Sequence, residues 1–218
     1  VLTDKTNSMI ISAVRYALEA DIALSEFPAP FVKAETANNT LIVIGESKPH
    51  GPCDSAHTID TLGGMLIISR LGLEATSGEL KSAMDGWLIN YNQTTGETKI
   101  LDTASNLIVI GSPGVNLVAF HYNNTGIGDD ILPEVVFCRN YSSGQNYLQV
   151  RGSGKKYYME FKEGSLIADY ATIQIFKDSH GRYVMLVYGI GAEGTRIACE
   201  VLKNYDLYNL SGRGIVLR

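Results

Sequence analysis

The sequence predicts an α/β fold: a mainly parallel sheet with flanking helices, plus an antiparallel β insertion in the middle of the chain. Three observations carry that expectation. First, Thr40 to Gly45 (TLIVIG), Asn106 to Gly111 (NLIVIG) and Arg182 to Gly189 (RYVMLVYG) are apolar runs that each close on glycine. An unbroken apolar run leaves no side for water, so it reads as a strand covered on both faces, as in parallel sheets. Second, at least two of these runs lead into segments with helical spacing, which is the βα pattern. Third, from about Asn123 to Gly164 the chain turns to Asn, Ser, Gly and Tyr, with short alternating stretches at Tyr147 to Val150 and Tyr157 to Phe161. Alternation marks half-buried antiparallel strands.

Taken in order, Val1 to Thr3 reads as a short strand. Ser8 to Leu24 reads as a helix, with Ile10, Ile11, Val14, Leu18 and Ile22 on one face and Asn7 as N-cap. Pro28 and Pro30 break the pattern before the first buried run. Glu46 to Ser55 is a loop. Ala56 to Leu71 is helical in spacing, although Gly63 and Gly64 weaken it. Thr76 to Asp85 reads as a short helix. Trp87 to Tyr91 and Glu97 to Asp102 flank Gly96 as a hairpin. After the second run come SPGVN and an apolar segment to Tyr122. Thr172 to Lys177 alternates, Asp178 to Gly181 is a turn, and the third run follows. Thr195 to Tyr205 is an amphipathic helix with Thr195 as N-cap, and Gly214 to Leu217 is a last strand. Residues 1–218 read as one domain, with 126–164 as a β-rich insertion or subdomain.

Composition narrows the function. The net charge is −5 and the basic residues are scattered, which excludes the clustered phosphate neutralisation of nucleic-acid binding. No apolar run approaches the ~20 residues that span a bilayer. A start at Val1 fits a mature product, a fragment or an expressed domain. Asn-X-Ser/Thr sequons at Asn38, Asn92, Asn123, Asn140 and Asn209 point to an extracellular glycoprotein, with Asn92, Asn123 and Asn140 the best placed, between strands. The three cysteines make no disulfide framework. Cys53 and Cys138 could pair if their loops meet, and Cys199 reads as a buried, inert thiol.

The motifs weigh against chemistry. SPGVN after a strand could cradle an anion, but it has neither the GxGxxG spacing nor a P-loop lysine. GIGAEGT, at Gly189 to Thr195, comes late, with no acid ~20 residues on, and reads as a strand-to-helix turn. HGPCDSAH groups His50, Cys53 and His57 beside Asp54, types that suit zinc or copper, yet no second Cys/His pair stands near. Asp129 and Asp130, or Asp54 and Asp60, could take calcium, without EF-hand spacing. GxSxG is absent, and the four histidines sit in unlike contexts. No catalytic, cofactor or metal site is expected, and the chain is not expected to be an enzyme. Tyr141, Tyr147, Tyr157 and Tyr158 stand among small polar residues. Tyrosine is enriched at interfaces, so Tyr141 and Tyr147 are the candidates for self-association. Tyr157 and Tyr158 could equally cover a small core.

LIVIGSPGVN at Leu107 to Asn116, TIQIFKDSHGRYVMLVYG at Thr172 to Gly189, YVMLVYGIGAEGTRIACEVL at Tyr183 to Leu202 and the closing YDLYNLSGRGIVLR together resemble the α/β domain of archaeal S-layer proteins. In that family a strand runs into Gly-Gly-Pro-Ala-Val-Asn, and a later strand into Ala-Glu-Gly-Thr-Arg and an Ala-rich helix. This chain departs at Ser112 and in the polar loop His50 to Ser55, and it is shorter than most of the family. The resemblance implies a glycosylated, self-assembling subunit of an extracellular coat or filament at the cell surface, whose partners are copies of itself and N-linked glycans. The alternative is an extracytoplasmic domain that binds a small ligand or metal at the carboxyl ends of its parallel strands.

Overall fold

The computed structural model describes residues 12–13, 22–124 and 133–218. The expected strand at Val1 to Thr3 and the pair Asp129 and Asp130 lie outside them. So does most of the expected helix Ser8 to Leu24. Its described residues are not α-helical: Ser12–Ala13 is a strand, β1, and Leu24–Glu26 is a 3-10 turn.

The expected fold class is overturned. The central sheet is mixed, not mainly parallel. It has seven strands in the order β1-β16-β14-β15-β8-β4-β5, where β4 is Thr40–Ile44, β5 Leu80–Met84, β8 Asn106–Ile110, β14 Ala171–Lys177, β15 Tyr183–Gly189 and β16 Gly214–Leu217. The three apolar runs do lie side by side: β4 pairs with β8 and β8 with β15, all parallel. From β15 outward, however, β14, β16 and β1 all pair antiparallel. Four further small sheets are antiparallel as well, one of them the short pair β2 (Val32–Lys33) with β3 (Thr36–Ala37). The physical reason is the turn at Asp178 to Gly181. A tight hairpin there forces β14 and β15 to run opposite ways, and β16 then adds to β14.

Two cores sandwich this sheet. On one face α1 (Thr58–Glu74) and α4 (Ala192–Lys203) pack together over Ile42, Ile108, Ile110, Met185 and Val187. They approach closely because Gly63 has no side chain: a Cβ there would sit 2.7 Å from Cys199 Sγ. On the other face lie α3 (Leu117–Asn124), the short helix α2 (Asp85–Leu88) and the hairpin β6 (Ile89–Tyr91) with β7 (Thr98–Ile100). The middle segment joins them as a three-stranded sheet of β9 (Val135–Arg139), β10 (Asn146–Val150) and β11 (Lys156–Tyr158). Its inner side chains Val135, Leu148, Val150 and Tyr157 share the core with Leu186 and Tyr188 of the central sheet. Gln174 ties the two sheets, since its amide exchanges hydrogen bonds with the Val135 backbone at 3.0 and 2.8 Å. A separate ribbon, β12 (Glu160–Lys162) with β13 (Ser165–Ala168), stands further out.

Local differences follow from tertiary context. Thr76 to Asp85 is not a helix, because Leu80–Met84 adds to β4 as the open edge strand. The last helix begins at Ala192, with Gly191 as N-cap, so Thr195 lies in its first turn. Cys53, Cys138 and Cys199 are all thiols; the pairing of Cys53 with Cys138 that the sequence left open does not form.

Candidate functional site

The carboxyl ends of β4, β8 and β15 form the edge where open α/β sheets hold ligands. Three α-helices start there. Each N-terminus presents unpaired N–H groups and the positive end of a helix dipole. In this protein side chains of the chain itself fill that position at α3 and α4.

At α3 the filling is complete over the first three residues. Gly45 lets the SPGVN turn close onto β4, since a Cβ there would lie 2.0 Å from the Val115 carbonyl. That brings in Asn116, which is fully buried. Its Nδ2 donates to the Ile110 carbonyl at 3.0 Å, and its Oδ1 accepts from Val118 and Ala119 N–H at 3.0 and 3.1 Å. Leu117 N–H donates to Asp85 Oδ2 at 2.6 Å. Asp85, also fully buried, sits where β5 enters α2. It accepts Glu46 and Gly86 N–H on Oδ1 and faces His50 Nε2 at 2.7 Å on Oδ2.

At α4 the filler is Asp169, which precedes β14. Its carboxylate accepts N–H bonds from Gly191, Gly194 and Tyr170 at 3.1, 2.9 and 2.8 Å. Burial pushes its pKa up, against the pull of those donors. Thr195 completes the turn by accepting Gly189 N–H at 2.9 Å. At α1, buried Asp60 accepts the His57 N–H at 2.9 Å.

The HGPCDSAH cluster is built into the same edge. Burial pulls the His50 pKa down, but the hydrogen bonds to Asp85 and to the Lys48 carbonyl, with the charges of Asp85 and Glu46, outweigh it, and the net shift is upward. Both ring nitrogens face acceptors, so the imidazolium is the form that satisfies both. Cys53 is buried, and its thiol is pushed up to about 12 by desolvation, with Asp85 and Asp54 adding to it. Such a thiol does not ionise near neutrality, so it is a poor nucleophile and a poor ligand. His57 is exposed at the start of α1. Among the described residues no three His, Cys, Asp or Glu side chains converge to hold a metal ion.

A groove of about 450 Å³ lies between the β12–β13 ribbon and α4, lined by Leu166, Ile167, Asp169, Arg196 and Ile197. Its charges are already paired: Arg196 with Glu193 and Glu200, and Asp169 with the helix start.

The surface candidates fall into different positions. Tyr141 tips the β9–β10 hairpin and is 92% exposed. Tyr147 is half-buried and packs on Tyr158 across the strands, ring centres 5.0 Å apart, so part of its surface is spent within the sheet. Tyr157 is buried in the shared core. Asn92 and Asn140 shape their turns through Oδ1, which accepts backbone N–H groups. Asn38 and Asn209 are exposed, though Asn38 Nδ2 donates to Pro30 O at 3.0 Å. Asn123 differs: its Nδ2 donates to Phe137 O and its Oδ1 accepts Phe137 N–H, at 2.9 and 2.7 Å. A glycan there would break a bridge between α3 and β9.

Sequence reasoning missed Asp85 and Asp169. Their partners lie up to 39 and 25 residues away along the chain, and no local spacing announces them.

Acid sensitivity follows from the opposite side of α3. Buried His121 has its pKa lowered to about 4, by desolvation first and by the Arg182 charge second. Between the unfolded value and about 4 the unfolded chain binds a proton that the folded chain refuses, so stability falls as pH drops through that window. The expected loss is about 3 kcal/mol by pH 4. Urea midpoints of wild type and His121→Gln from pH 7 to 4 measure it; parallel curves would contradict it.

Comparison with protein-family models finds no match for this chain, and comparison with curated proteins finds none either.

Proposed function

We propose that this chain is a structural, self-assembling extracellular glycoprotein of the cell surface, S-layer-like in kind, with no catalytic role of its own. The observation that supports this best is the filled carboxyl edge. Asp85 with Asn116, and Asp169, occupy the starts of α3 and α4, where an α/β protein would hold an anionic ligand, and Asp60 closes a capping box at α1. The crevice therefore serves to tie loops together, and the surface is left to carry the function. Tyr141, with no packing role inside the chain, stands ready for a neighbour; Tyr147 contributes what its partner Tyr158 leaves uncovered. Asn92, Asn140 and Asn209 are the sequons best placed for N-linked glycan, because the fold uses the carboxamide oxygens of the first two and leaves the third exposed.

Electron microscopy of native material tests the reading. An ordered sheet or fibre is expected, with an intact mass above that of the bare chain. Unassembled protein of bare mass, with and without divalent ions, would overturn it. Tyr141→Glu should leave folding stability within about 0.5 kcal/mol yet impair assembly. Assembly equal to wild type would remove Tyr141 from the contacts.

A further inference from the structure

The loop Glu46 to Asp54 is tied at its base by backbone groups. Glu46 N–H donates to Asp85 Oδ1 at 3.0 Å, Ala56 N–H to the Glu46 carbonyl at 2.8 Å, and Asp54 N–H to the Gly114 carbonyl at 2.7 Å. Its tip is a tight turn in which His50 and Cys53 exchange N–H···O bonds, both at 3.0 Å. Gly51 takes φ +55° in that turn, and a Cβ there would lie 3.0 Å from the Tyr91 ring. Ser47, Lys48, Pro49, Gly51 and Pro52 are exposed. The turn couples His50 to Cys53, so the two move together.

Both of these residues reach inward. His50 Nε2 faces Asp85 Oδ2 at 2.7 Å, and its Nδ1 faces the Lys48 carbonyl at 2.9 Å. Cys53 is 3% exposed, and its thiol points at the Pro113 carbonyl, 3.5 Å away on the SPGVN turn. An imidazolium donates to both of its acceptors, whereas a neutral ring has one N–H and sets a lone pair against the other oxygen. The charges of Asp85 and Glu46 bear on the ring in favour of the proton, and burial opposes it. Asp85 also accepts the N–H groups of Glu46, Gly86 and Leu117, and backbone amides do not titrate. Loss of the His50 proton therefore disturbs the tip and leaves α2 and α3 tied.

We propose that the turn His50 to Cys53 is a pH-operated latch. With His50 protonated it holds the loop shut over Cys53; with His50 neutral the tip moves out and uncovers the thiol. The latch goes beyond the assembly reading and does not depend on it. The folded His50 pKa lies above 6.5, so the latch is shut below that value and opens as pH rises through the folded one. Opening is local, because an exposed tip buries few contacts of its own. Cys53 reports it. Shut, desolvation holds the thiol up at about 12; open, it returns toward an ordinary thiol and gains thiolate as well as access.

The test is alkylation of the full chain with iodoacetamide, from about pH 6 to about pH 9, beside an NMR titration of His50. Peptide mass spectrometry reads the three thiols separately. Each rate is divided by that of a short unfolded peptide carrying Gly-Pro-Cys-Asp at the same pH, which removes the intrinsic titration of the thiol. The normalised Cys53 rate should be level in acid and rise roughly fivefold or more as His50 loses its proton, the effect of one hydrogen bond. Cys199, fully buried in the other core, should show no step. His50→Gln cannot take a proton, so its normalised Cys53 rate should not depend on pH. A wild-type Cys53 rate with no step at the His50 titration refutes the latch, and so does a step that survives in His50→Gln. A parallel step at Cys199 refutes it too, because the opening is then global.

Discussion

Arg182→Ala is expected to cost about 3–5 kcal/mol of folding stability, the range for removing one partner of a buried ion pair. Arg182 is 4% exposed, and its guanidinium spans three elements. Nε donates to Asp178 Oδ2 at 2.6 Å, Nη2 to the Tyr122 hydroxyl at 2.8 Å, and Nη1 to the Asp102 carbonyl. Tyr122 in turn donates to Asp178 Oδ2 at 2.9 Å. The cluster pins α3 and the loop after β7 to the β14–β15 turn. Burial alone would raise the Asp178 pKa, but Arg182 and the Tyr122 bond hold it below the usual carboxylate range. Without Arg182 that buried carboxylate loses its counter-charge. Lysine should rescue little, because one ammonium cannot replace a planar fork aimed at three acceptors. Replacing both Arg182 and Asp178 by apolar residues should cost less than Arg182→Ala alone. Urea unfolding of the three variants measures this, and a double variant less stable than the single would contradict it.

The effect of Asp85→Ala is expected to be of comparable size. Alanine would orphan the N–H groups of Glu46, Gly86 and Leu117 and leave the His50 ring without its partner. Leu117 N–H is a buried donor, and one left unpaired costs about 1–3 kcal/mol, while those of Glu46 and Gly86 are part-buried and add less. A loss of about 3 kcal/mol and a melting temperature lower by about 6–12 °C are therefore expected. Asp85→Asn keeps the shape but turns an NH₂ toward one pair of donors, so an intermediate loss is expected. The pH dependence separates this role from mere packing. The folded His50 pKa is raised above the ordinary imidazole value of 6.5. Its stabilisation is therefore complete below that value and is lost as pH rises through the folded pKa. In wild type, hydrogen exchange in the loop Glu46 to Asp54 should accelerate on that alkaline side. In Asp85→Asn the His50 titration, followed by NMR, should move down toward 6.5. A His50 titration unchanged by Asp85→Asn would sink the assignment.

The sequence by itself determined which segments are buried. The runs at Thr40, Asn106 and Tyr183 lie side by side in the sheet, because a segment with no polar face has nowhere else to go. It likewise marked the SPGVN turn and the α4 amphipathic face, whose spacing places Ala198, Val201 and Leu202 inward. Only the tertiary structure decided strand direction, since an apolar run does not encode its neighbour. The antiparallel half of the sheet depends on the hairpin at Asp178 and on β16 returning from the end of the chain. Leu80 to Met84 has apolar residues at a spacing that fits a helix, yet the open edge of β4 takes it as a strand. Asp85 and Asp169 show the limit most clearly. A lone acid carries no local pattern, and its role appears only when distant backbone N–H groups, stripped of water by folding, converge on its oxygens.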